Sequence, residues 1–257
     1  MNEITKEILI CLSAAHFLGD FVFQSDTDAA RKKKPLIVFK HAFMVAATGY
    51  LFCGIWDIWE IPLVILLSHS LMDYTKAKSG KESVCAFLLD QGVHLAIITA
   101  IIILIVTTEI IALNKPSTFW VGLLGKEVLG YLILASGLAV SIKAGGILVG
   151  LAVKPFTDQL KNEQKPDCPS KTVIGRGFER GGKIIGYLER AMIFLFMLTG
   201  QPGSIGFLIA AKSILRFGEI KEPQNRLEAE YIIIGTFMSF GYGIFIAYAT
   251  RFFLEKI

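Results

Sequence analysis

The chain has 257 residues, 53% hydrophobic and only 19% charged, with a mean hydropathy of +0.57 and a formal net charge of +4. Apolar content is far above, and charge below, what a soluble domain carries, which excludes both an ordinary globular domain and a disordered chain. The composition predicts an all-α, polytopic transmembrane helix bundle of about six to eight helices. Cys11, Cys53, Cys85 and Cys168 form no CxxC pair and sit in separate segments, so neither a zinc ribbon nor a disulfide framework is signalled.

Taken in chain order, apolar runs predict helices near 5–24, 36–56, 61–76, 84–112, 120–153, 184–200, 203–217 and 230–253. The first run contains His16 and Asp20 and is followed by no small-residue cleavage site, so it reads as a retained helix and not as a signal peptide. The runs at 61–76, 184–200 and 203–217 are short and fit tilted, re-entrant or protein-covered segments. Residues 1–115 form one predicted region, a four-helix bundle; residues 116–257 form a second helical half with a charged loop over 154–183, all within one integral membrane unit.

Basic residues set the expected orientation. Segments 25–40, 76–83, 154–183 and 216–230 hold five, three, seven and three Lys or Arg, whereas the alternate side holds only Lys6, Lys115, Arg251 and Lys256. By the positive-inside rule the N-terminus lies outside and the Arg31-Lys32-Lys33-Lys34 loop in the cytoplasm.

All four histidines fall in the first 94 residues, and three of them stand four positions from an aspartate: His16/Asp20, His69/Asp73 and Asp90/His94, with His41 between the first two pairs. A spacing of four puts both side chains on one helix face. The predicted topology brings all seven to the cytoplasmic ends of four successive helices. Imidazole with carboxylate and no thiolate is ligand chemistry for zinc, manganese or iron, and seven such groups exceed the four that one tetrahedral zinc takes. One or two divalent ions are therefore expected, with His41 as a ligand or a base. Lys76 is a candidate for holding a substrate anion, and Gln24 and Gln91 for orienting the ligands. The competing reading makes these residues hydrogen-bonding partners between helices, or a proton relay.

The second half differs in texture. Residues 177–183 spell GxxxxGK, but Ile184 stands where a nucleotide-binding loop needs Ser or Thr and no strand leads in, so a P-loop is rejected. Arg176, Arg180, Arg190, Lys212 and Arg216 form a candidate anion-binding rim for a phosphate or a lipid head group. The alternative is a set of membrane anchors, with Glu189 and Arg190 pairing locally.

The run His16-Phe17-Leu18-Gly19-Asp20-Phe21-Val22-Phe23-Gln24 resembles the HxxxDFxxQ opening of the bacterial membrane family named domain of unknown function 3307. The likeness continues through His41, His69-x3-Asp73-x2-Lys76 and Asp90-Gln91-x2-His94. Later stretches, Ile185 to Arg190, Ala211 to Phe217 and Glu230 to Thr236, also resemble the second half of many members of that family. A weaker similarity, confined to helix-borne histidines and HxxxD elements, is to inner-membrane proteins described as metal-dependent hydrolases. The resemblance implies a bacterial cytoplasmic membrane location. Three functions compete: a phosphoester hydrolase with a cytoplasm-facing His/Asp site, a divalent-cation or proton transporter, and a non-catalytic membrane subunit with a structural metal. The lipid bilayer and a phosphate-containing substrate are the expected partners, with loop 154–183 as a docking surface for a protein and no nucleic acid indicated.

Overall fold

The structure is a computed structural model describing residues 3–30, 34–80, 82–107, 117–163, 181–220 and 226–257. Every regular element among them is helical. In order they are α1 (Glu3–Leu18), the short α2 (Asp26–Ala30), α3 (Pro35–Cys53), α4 (Glu60–Ser79), α5 (Val84–Thr107), α6 (Phe119–Leu124), α7 (Glu127–Ala139), α8 (Gly145–Glu163), α9 (Gly181–Leu198), α10 (Gly203–Ile220) and α11 (Arg226–Leu254). Two π-helical turns interrupt them: Gly19–Phe23 extends α1, and Val140–Ala144 joins α7 to α8.

Local chemistry sets the helix ends. Pro35, which has no N–H to leave unpaired, starts α3, and Gly54 at φ 61° stops it. Gly80 at φ 60° closes α4 by donating its N–H to the Lys76 carbonyl at 3.3 Å. These bounds follow the apolar runs closely, although residues 108–112 of the fourth run lie outside the described residues. One expected boundary is wrong. The loop placed at 154–183 begins as helix, because α8 runs through Pro155 to Glu163, and residues 164–180 lie outside the described residues.

Four helices are long and apolar enough to cross a membrane: Pro35–Cys53, Val84–Ile105, Glu127–Leu160 and Glu230–Leu254. The expected six to eight spans are thus met only in part. Regular α1 is just 16 residues long, and α4 carries Glu60, His69, Asp73, Lys76 and Lys78 along its 20. Many large apolar side chains of these helices are exposed, including Leu36, Phe43, Leu67, Leu71, Leu89 and Ile103, as suits contact with lipid.

Backbone packing divides the chain into two compact units, one reaching Ala139 and including Phe253–Ile257, the other Val140–Phe252. In the first, α1 packs on α3, α5 and α7, and α4 packs on both α3 and α5. One end of this bundle is filled by Ile8, Leu12, Val45, Ile61, Ile65 and Ile102. At that end Trp56, Phe119 and Trp120 cluster with ring centroids 4.8–6.3 Å apart, Trp56 donates to the Tyr50 carbonyl and Trp120 to that of Leu51. The buried Glu7 carboxylate also ties α1 to the start of α6 by accepting the Thr118 N–H at 2.7 Å. The polar residues gather at the other end. In the second unit Ile193, Ile205 and Phe240 form the core of α9, α10 and α11.

Candidate metal centre

The seven predicted ligands come together in the first unit. His16 ends α1, Asp20 lies on the following π turn, His41 is on α3, His69 and Asp73 on α4, and Asp90 and His94 on α5. The four histidines, Asp73 and Asp90 are only 2–4% exposed. Gly19 explains how Asp20 gets so close. A Cβ there would sit 2.9 Å from Val45 Cγ2, so the missing side chain lets α1 approach α3 as the chain enters the π turn.

The shortest contacts run between helices and not along them. His41 Nε2 and His69 Nε2 are 3.1 Å apart, and Asp20 Oδ1 lies 3.3 Å from the first and 3.4 Å from the second. Asp73 Oδ2 is 3.8 and 3.9 Å from the same two nitrogens. By contrast the pairs spaced by four are 3.9 Å apart for His16/Asp20, 3.9 Å for His69/Asp73 and 3.7 Å for Asp90/His94. Ligands held about 2.0–2.1 Å from a tetrahedral ion lie about 3.3–3.4 Å from one another. The triangle of Asp20, His41 and His69 has that size, and Asp73 lies somewhat farther from the two histidines.

Three ligand groups overlap here: His16/Asp20/His69, His41/His69/Asp73 and Asp73/Asp90/His94. The rings interlock, with His69 and His94 stacked at 4.2 Å and His16 and His94 tilted at 5.0 Å. Several ligand-type atoms are buried without a hydrogen-bond partner, namely His16 Nε2, His41 Nδ1, His94 Nε2, Asp20 Oδ1 and Asp90 Oδ1. Buried lone pairs are normally satisfied, so this concentration in one place is what a cation site requires.

Gln91 donates from Nε2 to Asp20 Oδ2 and to Asp90 Oδ2, both at 3.3 Å, and so ties two ligand carboxylates together. The Gln24 amide nitrogen has no hydrogen-bond partner, so Gln24 orients no ligand in this conformation. Lys76 donates to Asp90 Oδ2 at 2.5 Å and lies 6.0 Å from the Phe87 ring centre. Toward the apolar end the histidines meet a cavity of ≈ 20 Å³, room for about one water, walled by Leu12, Val45, Ile65 and Ile98.

The second-half residues fall elsewhere. Arg190 is buried and bonded to Ser239 and to the Ile142 carbonyl, and Glu189 pairs at 2.8 Å with Lys212 instead of its neighbour Arg190. Arg176 and Arg180 lie outside the described residues, and of Arg216 only its place in α10 is described. The structure adds Gly19, which sequence reading missed. Its only signal was its position between His16 and Asp20.

Residues 8–121 match the family model described as protein of unknown function, DUF3307. This segment is similar to the DUF3307 family. All seven clustered residues, and Lys76 and Gln91 with them, lie inside the DUF3307 segment. The α9 to α11 stretches read as similar lie beyond the matched residues. No curated protein and no solved structure matches the chain.

Proposed function

We propose that the DUF3307 segment is a membrane-embedded divalent-metal site that hydrolyses a phosphoester. The observation that carries this reading is the convergence of Asp20 Oδ1, His41 Nε2 and His69 Nε2 from three different elements at the separations of tetrahedral ligands, with Asp73 Oδ2 3.8 and 3.9 Å from the two nitrogens. Zinc, manganese and iron all suit these donors. A divalent ion there would supply Lewis acidity toward a phosphoester oxygen and toward water.

The chain's own residues supply the rest. Asp73, Asp90 and His94 offer a second, adjoining ligand group, so the centre has room for one ion or two. Whichever of the unpartnered ring nitrogens of His16 and His94 is not engaged by an ion can take the proton lost when water adds to phosphorus and hand it to the departing ester oxygen, which leaves as an alcohol. Lys76, paired with Asp90, stands at the more exposed edge, where its ammonium can turn to an incoming phosphate. The Lys and Arg asymmetry supports a site facing the cytoplasm from a bacterial inner membrane, with the tryptophan cluster at the far boundary.

The apolar packing beyond the histidines argues against transport. Leu12, Val45, Ile65 and Ile98 line that side with apolar groups, and the buried Glu7 at that end is held by the Thr118 N–H, which favours a cup over a passage. Elemental analysis of purified protein tests the reading, with at least one zinc, manganese or iron per chain expected and near-complete loss in His69→Ala. Full retention of metal by His69→Ala would overturn it. Metal-dependent release of p-nitrophenol from bis(p-nitrophenyl) phosphate separates the hydrolase from a structural metal, and uptake of the ion into proteoliposomes would revive transport.

A further inference from the structure

The unit Val140–Phe252 contains a second polar cluster, of opposite character. Arg190 is 3% exposed, yet among the described residues it has no carboxylate partner. Its Nη1 donates to Ser239 Oγ at 2.7 Å, and its Nε and Nη2 donate to the Ile142 carbonyl at 3.3 and 3.1 Å. Ile142 lies in the π turn Val140–Ala144, where the regular helical ladder is interrupted. Glycines clear the space around the guanidinium. A Cβ at Gly146 would lie 3.2 Å from Nη2, one at Gly186 3.3 Å from Nη1, and one at Gly145 3.0 Å from Cδ.

Further cations gather at the same place. Lys143, on the same π turn, has its ammonium 5.2 Å from the centre of the Tyr187 ring, and the guanidinium carbon of Arg190 and the ammonium of Lys183 are each 5.7 Å from that centre. Among the described residues neither Lys143 nor Arg190 forms an ion pair with a carboxylate, and Glu189 is taken by Lys212. In the same turn the hydroxyl of Ser141, 0% exposed, has no hydrogen-bond partner.

Charge bookkeeping then decides the sign of the missing partner. Lys143 falls near the middle of Glu127–Leu160, a helix long and apolar enough to cross a membrane, where an ionisable group is costly and marks a site. An aromatic face offsets only part of the cost of desolvating a cation. Arg190 has five N–H donors, of which three are engaged, and the two left together with a movable ammonium suit an oxyanion with several acceptor oxygens.

We infer that Lys143, Tyr187 and Arg190 form a phosphate-binding site in the second unit. The ligand is a phosphate group, carried either by an anionic phospholipid or by free phosphate, and the site is independent of the histidine centre. Native mass spectrometry of the full chain in detergent, titrated separately with phosphatidylglycerol and with inorganic phosphate, tests it. Saturable binding of at least one probe is expected, weakened about tenfold or more in Lys143→Gln. Binding of phosphatidylglycerol that inorganic phosphate does not displace identifies a lipid head group; binding or displacement by inorganic phosphate identifies the free ion. Arg190→Lys, which keeps the charge but loses the planar fork, should weaken the same probe. If that variant does not fold, Lys143→Gln alone decides, because the half-buried Lys143 makes no hydrogen bond to a described residue. Failure of both probes to bind, or a loss below tenfold in Lys143→Gln, overturns the site.

Discussion

The two units build their polar centres with the same backbone device and opposite chemistry. In the first, the π turn Gly19–Phe23 carries Asp20 toward His41 and His69. In the second, the π turn Val140–Ala144 presents the Ile142 carbonyl to Arg190 and carries Lys143. The first is rich in acceptors, with buried nitrogens and carboxylate oxygens that lack donors. The second is rich in donors, with Lys143 and Arg190 lacking a carboxylate partner among the described residues. A helix defect in an apolar segment is therefore not specific by itself; the side chains around it decide which sign of ligand it serves.

The contrast makes its largest demand on metal content. His69 belongs to two of the three ligand groups, so His69→Ala should reduce bound metal from about stoichiometric to near zero, while Arg190→Gln leaves it unchanged. Equal metal loss in both variants, read by elemental analysis, would erase the distinction between the centres.

A smaller effect tests the close approach that delivers Asp20. Gly19→Ala puts a methyl 2.9 Å from Val45 Cγ2, which should cost about 1–3 kcal/mol in thermal or denaturant stability and weaken metal binding with it. Gly92→Ala is the matched control on α5. Its Cβ would meet open space, so it should be neutral or gain about 0.5–1 kcal/mol from helix propensity.

Next comes the support for the ligands. Gln91→Ala removes the amide that bridges Asp20 and Asp90, and metal affinity measured by competition with a chelator should fall about 10–100-fold without loss of fold. An unchanged affinity would mean that the carboxylates hold their positions without it.

The weakest expected effect lies at the surface. Glu3 is held down at about 2 by hydrogen bonds from Lys6 and Lys126, and in turn raises Lys126. A carboxyl lowered in the folded state contributes stability that is present above the ordinary carboxylate range and is lost as pH falls toward 2. Because the group is fully exposed, water and salt screen most of this, and Glu3→Gln should move the melting midpoint at pH 7 by no more than about 1 °C. A drop of several degrees, vanishing at low pH, would show that this end of α1 matters more than its exposure suggests.

Sequence reading went furthest where a signal is local. Apolar runs located α3, α5 and α11 because burial in lipid demands unbroken hydrophobic length. The expected six to eight spans are met in part, with four described helices long and apolar enough, since α1 and α4 carry polar and ionisable side chains along their length. The loop expected from residue 154 begins later, because α8 continues through Lys154 and Pro155 to Glu163.

The sequence by itself picked out the seven residues that cluster and the shared end of four helices where they lie, because residue type, spacing and charge asymmetry are properties of short stretches. Only the tertiary structure decided who touches whom. The spacing of four suggested three intrahelical pairs, yet the closest contacts are His41 to His69 and both to Asp20, across helices. Asp20 reaches the two histidines through a missing side chain at Gly19 and a π turn that carries it, and neither leaves a periodic trace. Arg190 stood out as a candidate anion-binding residue, but the space around it did not. Its glycines come from α8 and α9, far apart in sequence, and only packing shows that they clear space for one guanidinium.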